Sequence, residues 1–207
     1  MPKTVDPEAR RLAVAEAVFA VVERRGLEGA SLRNVAEEAG LAVGSVRHYF
    51  GDHGELLIFA MTELSRRFEQ RVLAHVERLP DCRDGVERRK VAEALLEEFL
   101  PLDSVRRQEA AVWSAFVTAA RTRPELRPRA REVLDGMREV TVRVLRGAQR
   151  TGALREGLNV RLESVRLSAL LDGLTVQAVQ APDLLPPRLL RDVLRRHLDA
   201  LTERGEW

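Results

Sequence analysis

A chain of 207 residues is long enough for one large core, or for a small domain beside a larger one. Its 34 Lys and Arg against 32 Asp and Glu leave it nearly neutral. No stretch approaches about 18 unbroken apolar residues, and the opening Met-Pro-Lys-Thr-Val-Asp-Pro-Glu lacks the pattern of a secretory signal. The single Cys82 has no internal disulfide partner, so a membrane span and a disulfide scaffold are excluded and a cytoplasmic location is expected.

The first predicted element is an amphipathic helix from about Pro7 to Arg25, with Leu12, Ala15, Val18, Phe19 and Val22 on one face and Gly26 as its stop. Ser31 is a good N-cap for a second helix that places Leu32, Val35, Ala36 and Ala39 on one side. Gly40 falls where the chain must turn sharply, and glycine alone takes positive φ without steric cost. Val46 and Phe50 carry the apolar stripe through a third helix. Small Ala36, Gly40 four residues on, and β-branched Val46 six beyond that meet the joint demands of a helix-turn-helix, whose second helix enters the major groove of DNA. Asp52-His-Gly-Glu55 is a capping-box-like start to a longer helix reaching about Arg78, with Leu57, Met61, Leu64, Phe68, Val72 and Val76 at helical spacing. Pro80 to Gly85 reads as a loop, Val86 to Leu100 as a helix ended by Pro101, and Asp103 or Ser104 as the cap of a helix reaching Arg123. Pro124 and Pro128 punctuate the start of the next, which runs to Thr151-Gly152. Arg155 to Asn159 is a loop before a helix of roughly Arg161 to Gln180, and Pro187 opens a last one through Thr202. No strand pattern appears, so the fold class is all-α.

These residues resemble the tetracycline-repressor (TetR) family of transcriptional regulators. The likeness rests on Phe19-Ala-Val-Val-Glu-Arg-Arg-Gly26, Ser31-Leu-Arg-Asn-Val-Ala36, Gly40-Leu-Ala-Val-Gly44, Val46-Arg-His-Tyr-Phe50 and Gly51-Asp-His-Gly-Glu-Leu-Leu57. Leu170-Leu-Asp-Gly-Leu174 and Ala181-Pro-Asp-Leu-Leu-Pro-Pro187 add a likeness to the choline-regulator-type C-terminal half. The resemblance implies a three-helix DNA-binding domain over residues 1–51 and a helical effector-binding and dimerisation domain over 52–207. It implies a homodimer on a palindromic operator, with an effector shifting the spacing of the two recognition helices. DNA contacts are expected at Ser31, Arg33, Ala42, Val43, Gly44, Ser45, Arg47, His48, Tyr49 and His53. The chain departs from the family at His53, usually lysine, and at Ala42, usually polar. His53 stands where helix amides favour an anion, so a DNA phosphate is expected to dock there and favour its protonated form.

Residues 1–80 carry 11 Lys and Arg against 12 Asp and Glu, without the basic excess usual in a DNA-binding domain. Lys3, Arg10, Arg11, Arg33 and Arg47 are nevertheless spread where DNA is expected. The imbalance keeps an alternative open, a helical small-molecule-binding protein whose DNA-binding domain has degenerated. Catalysis has little support: no pair among the four histidines has metal-ligand spacing, and no phosphate loop or nucleophile elbow is present. No cofactor and no metal are expected.

Met61, Leu64, Phe68, Leu96, Phe99, Trp113, Phe116, Met137 and Val140 read either as ordinary core or, as the resemblance favours, as the wall of an apolar cavity between helices, with Thr141, Asp172 and Gln177 as polar contacts. The effector is accordingly expected to be largely apolar, although Asp172 would suit a cation. Leu162, Val165, Leu170, Leu174 and Val179, then Leu190, Val193, Leu194, Leu198 and Leu201, exceed what a terminal helix pair needs for itself. A two-fold four-helix interface would bury them.

Overall fold

The computed structural model describes residues 7–202, and Lys3 lies outside them. The described residues form nine α-helices and no strand: α1 Pro7–Gly29, α2 Leu32–Glu38, α3 Val43–Tyr49, α4 His53–Val76, α5 Gly85–Glu97, α6 Ser104–Ala120, α7 Arg127–Arg150, α8 Val160–Gln180 and α9 Pro187–Asp199. None of these helices is long and apolar enough to cross a membrane. Packing divides the chain into two compact units: residues up to Arg67 with Ala111–Arg131, and Phe68–Ala110 with Glu132 onward.

In the first unit, α1 buries Val14, Ala15, Val18 and Phe19. Gly26 breaks its helical geometry at φ 69°, as expected of a stop, but the chain then makes one further turn to Gly29. Ser31 caps α2 by accepting a bond from the Asn34 amide at 3.2 Å, while the Asn34 side chain donates to the Gly29 carbonyl at 2.8 Å. The end of α2 closes with Gly40 N–H on the Glu37 carbonyl and Leu41 N–H on the Ala36 carbonyl. That closure needs the positive φ of 64° that Gly40 supplies. Ala36, Val46 and Phe50 are all buried, so the close crossing of α2 and α3 rests on the residues that predicted it.

The start of α4 is capped reciprocally. Asp52 Oδ1 accepts from the Glu55 amide at 2.9 Å, and Glu55 Oε2 accepts from the Gly51 amide at 2.8 Å. Asp84 and Glu87 repeat this arrangement at the start of α5. Asn159 caps α8 through the Leu162 amide.

The second unit has one apolar cluster that includes Leu95, Leu96, Leu100, Leu145, Leu167, Leu171, Leu190, Leu194 and Leu198. Polar contacts also tie its helices. Thr175 Oγ1 donates to the Phe99 carbonyl at 2.8 Å. Along α9, Arg195 pairs with Glu93, Arg191 with Glu97 at 3.1 Å, and Asp199 with Arg89 at 2.6 Å, so one flank of α9 is committed to α5.

Candidate nucleic-acid interface and effector cavity

Helix α3 gives the fold very little of itself. Val46 is buried and Phe50, its C-cap, is buried, whereas Val43, Gly44, Arg47 and His48 form one contiguous exposed face. Ser45 and Tyr49 lie half-buried at its flank, and Ala42 is the exposed N-cap. Gly44 has open space where a Cβ would stand, so packing places no demand for glycine there. On α2, Arg33 is exposed, while the Ser31 hydroxyl is engaged by the helix cap.

Ion pairing accounts for the missing basic excess. Glu38 is paired with Arg24, Glu16 with Arg67, Glu28 with Arg123 at 2.7 Å, and buried Glu63 with both Arg66 and Arg67. Asp52 and Glu55 are held by backbone amides. Arg11, Arg33 and Arg47 are exposed and carry no carboxylate partner among the described residues. Acids and bases balance in number, yet the bases that remain unpaired include those expected to face DNA. A count over residues 1–80 averages these two populations together and hides the difference.

His53 corrects one expectation. Its ring is turned into the unit, with Nδ1 3.4 Å from Arg123 Nη1 and Nε2 buried without a hydrogen-bond partner. Burial lowers its pKa, the Arg123 guanidinium lowers it further, and Glu28, the Ala30 backbone and Asp52 oppose this only in part. In the free protein this biases the ring toward its neutral form, against the expected protonation on docking of a phosphate. The causes are burial first and then Arg123, which is remote in sequence.

A cavity of about 110 Å³ lies in the second unit between α7 and α8, lined also by Phe99 beyond the end of α5. Leu134, Met137, Arg138 and Thr141 line it from α7, and Val165, Ser168, Ala169, Leu171 and Asp172 from α8. The Thr141 and Ser168 hydroxyls are 3.0 Å apart, and Thr141 also donates to the Arg138 carbonyl at 2.8 Å. Burial raises the Asp172 carboxyl above the ordinary carboxylate range, and Arg138 draws it part of the way back. Of the twelve expected effector residues, Phe99, Met137, Thr141 and Asp172 meet here. Phe68 packs edge-on against Phe99 at 4.8 Å, Leu96 is in the core, Val140 packs against that core, and Gln177 is exposed. Met61, Leu64, Trp113 and Phe116 are buried in the first unit. Sequence reasoning missed Arg138 and Ser168. The i, i+3, i+4, i+7 spacing of 134, 137, 138, 141 and of 165, 168, 169, 172 was the available signal.

The expected dimer residues fall into two groups. Leu174, Leu190, Leu194, Leu198 and Leu201 are buried in the chain's own core, which corrects their assignment to a subunit interface: they have little or no surface to offer. Leu162 is 57% and Val165 51% exposed, and Leu170, Val179 and Val193 are half-buried. Each terminal helix carries more than one apolar stripe, and the first is spent internally.

A helix-turn-helix with a free second helix, joined in one chain to a helical unit enclosing a small cavity, defines a DNA-binding regulator of the effector-controlled kind. The family model for bacterial regulatory proteins of the tetR family matches residues 12–58, and that for the BetI-type transcriptional repressor C-terminal domain matches residues 88–203. The HTH-type transcriptional regulator PksA of Bacillus subtilis (strain 168) is 33% identical over 202 residues, spanning 97% of this chain and 94% of that protein. A transcriptional regulator from Rhodococcus sp. Rha1 superposes with a TM-score of 0.77 at 32% identity, covering 92% of this chain and 95% of that one. A regulator from Saccharomonospora viridis, solved in complex with choline, gives a TM-score of 0.81 at 24% identity over 96% of this chain and all (100%) of that one. The chain belongs to the TetR family and is a ligand-responsive, DNA-binding transcriptional regulator.

Proposed function

We propose that the chain is a homodimeric repressor in which each subunit places α3 in one major groove of a palindromic operator. The observation that carries this reading is the exposed face of Val43, Gly44, Arg47 and His48, which the fold neither packs nor neutralises. Arg47 is the side chain on it suited to a guanine edge or a phosphate. Two subunits would read half-sites about one helical turn apart. The exposed stripe Leu162, Val165 and Ala169 on α8, with exposed Leu189 and half-buried Val193 on α9, supports a subunit interface formed by these helices.

The cavity between α7 and α8 takes the effector: a small molecule with an apolar body against Phe99, Met137 and Leu171 and a cationic end toward Asp172. The choline bound by the Saccharomonospora relative supports a compact cation in this fold. A cation selects the ionised carboxyl, and burial raises the Asp172 pKa, so binding releases a proton at any pH where the free carboxyl is protonated. Affinity therefore falls as pH drops through that raised pKa, and Asp172→Asn removes both the affinity and its pH dependence.

The test is an anisotropy titration of a duplex selected from random sequence by the protein, with and without choline. DNA binding that choline weakens, and choline binding that the duplex weakens by the same factor, support the reading. A duplex titration indifferent to every compact cation tried would remove the cavity's proposed role. Sedimentation of Val165→Glu should show monomer, and a stable dimer would move the interface elsewhere.

A further inference from the structure

We infer that Arg11, on α1 and outside the helix-turn-helix, anchors a DNA phosphate beside the C-terminal end of the recognition helix; this rests on the DNA-facing reading of α3. The Arg11 guanidinium carbon stands 4.9 Å from the Phe59 ring centre and 5.8 Å from that of Phe50. Those two rings are themselves 5.0 Å apart. Phe50 is the C-cap of α3 and Phe59 lies in the second turn of α4, so the cradle is built from the two elements that flank the Phe50–Asp52 corner. Arg11 is exposed, and no carboxylate engages it among the described residues.

Arg11 shares this with Arg33 and Arg47, the other cations expected to face DNA, whereas further arginines of the unit are engaged. Arg24, Arg66, Arg67 and Arg123 in the same unit all pair with glutamates. The carboxylates nearest the corner, Asp52 and Glu55, are tied to backbone amides, and the His53 ring is turned inward toward Arg123. Arg11 is thus a free cation that this corner presents to solvent. An aromatic cradle holds a guanidinium in place while leaving its N–H groups free. Phosphate takes those donors in a fork geometry, which an unheld lysine would match less well. A contact of this kind positions the protein on the duplex and reads no base.

The experiment compares wild type, Arg11→Gln, Arg11→Lys and Phe59→Leu on the selected duplex and on a random-sequence duplex, across a salt series, with thermal melting of each protein. Arg11→Gln should weaken binding to both duplexes by a similar factor, about tenfold, and make the log–log salt slope shallower by about 0.9 per bound subunit. Arg11→Lys should restore the slope and part of the affinity, and Phe59→Leu should lose affinity while keeping the slope. A wild-type slope in Arg11→Gln overturns the inference, whether or not its melting temperature falls. Weakening confined to the selected duplex also overturns it, since that marks a base reader. Wild-type protein that bound neither duplex would overturn the DNA-facing reading itself, a result distinguishable from these.

Discussion

Helices α3 and α9 are both amphipathic, yet they commit their side chains in opposite ways. Helix α9 sends Leu190, Leu194 and Leu198 into the core and ties Arg191, Arg195 and Asp199 to α5 through ion pairs. Leu189, Val193, Arg196 and Ala200 are left over, exposed or half-buried, beside the solvent-facing Arg188 and Asp192. Helix α3 buries Val46, closes on Phe50, and leaves Val43, Gly44, Arg47 and His48 without structural employment. The contrast teaches where substitutions should act. Changes on α9 should be felt first as stability, and changes on the outer face of α3 as DNA binding alone.

The largest effect expected from this contrast lies in the core. Leu198→Ala, at a fully buried site, should destabilise the protein by about 2–5 kcal/mol in denaturant unfolding. A loss well under that would mean α9 is less committed to its own chain than its burial indicates. Next comes Ser31→Ala, which removes the α2 cap and should cost about 1 kcal/mol of stability. If it weakens DNA binding without that cost, the hydroxyl serves the operator rather than the helix.

Gly44→Ala sharpens the comparison further, because nothing lies within 4 Å of the added Cβ. Helix propensity alone should then stabilise the protein by up to about 1 kcal/mol. If the glycine serves close approach of DNA, operator affinity should fall while the melting temperature rises. Rising stability with unchanged affinity would remove Gly44 from the interface.

The smallest effect concerns pH. His53 and His197 are both held below the ordinary histidine value of 6.5, chiefly by burial, with Arg123 and Arg166 respectively adding to it. The unfolded chain therefore protonates first as pH falls through about 6.5, so stability declines below that value and levels off once the folded form titrates too. The double variant His53→Gln, His197→Gln should melt with a flatter dependence between about pH 7 and 5.

The helix-turn-helix was legible because its determinants are local. The Ser31 cap, the Gly40 turn and the Ala36–Val46 crossing each involve residues at most ten apart, and an apolar side chain there has only one place to go. The apolar stripes of α8 and α9 were legible as buried faces, but periodicity does not say against which molecule a face is buried. Leu174 and Leu194 read equally well as core or as interface. The His53 orientation depends on Arg123 and Glu28, and the pairing of Glu16 depends on Arg67. Such long-range partners leave no trace in local spacing. The cavity was half visible, as Phe99, Met137, Thr141 and Asp172, because its polar wall is assembled from two helices whose register only packing determines.

The most direct test of the claim that the free face of α3 reads DNA is a paired measurement on Arg47→Ala. Its side chain is exposed and unpaired among the described residues, so the melting temperature should match wild type. Affinity for the selected operator should nevertheless fall by about 1–3 kcal/mol if Arg47 reads a base, with the preference lost at one position of each half-site. Unchanged affinity on that operator, or a loss matched by lower thermal stability, would contradict the account.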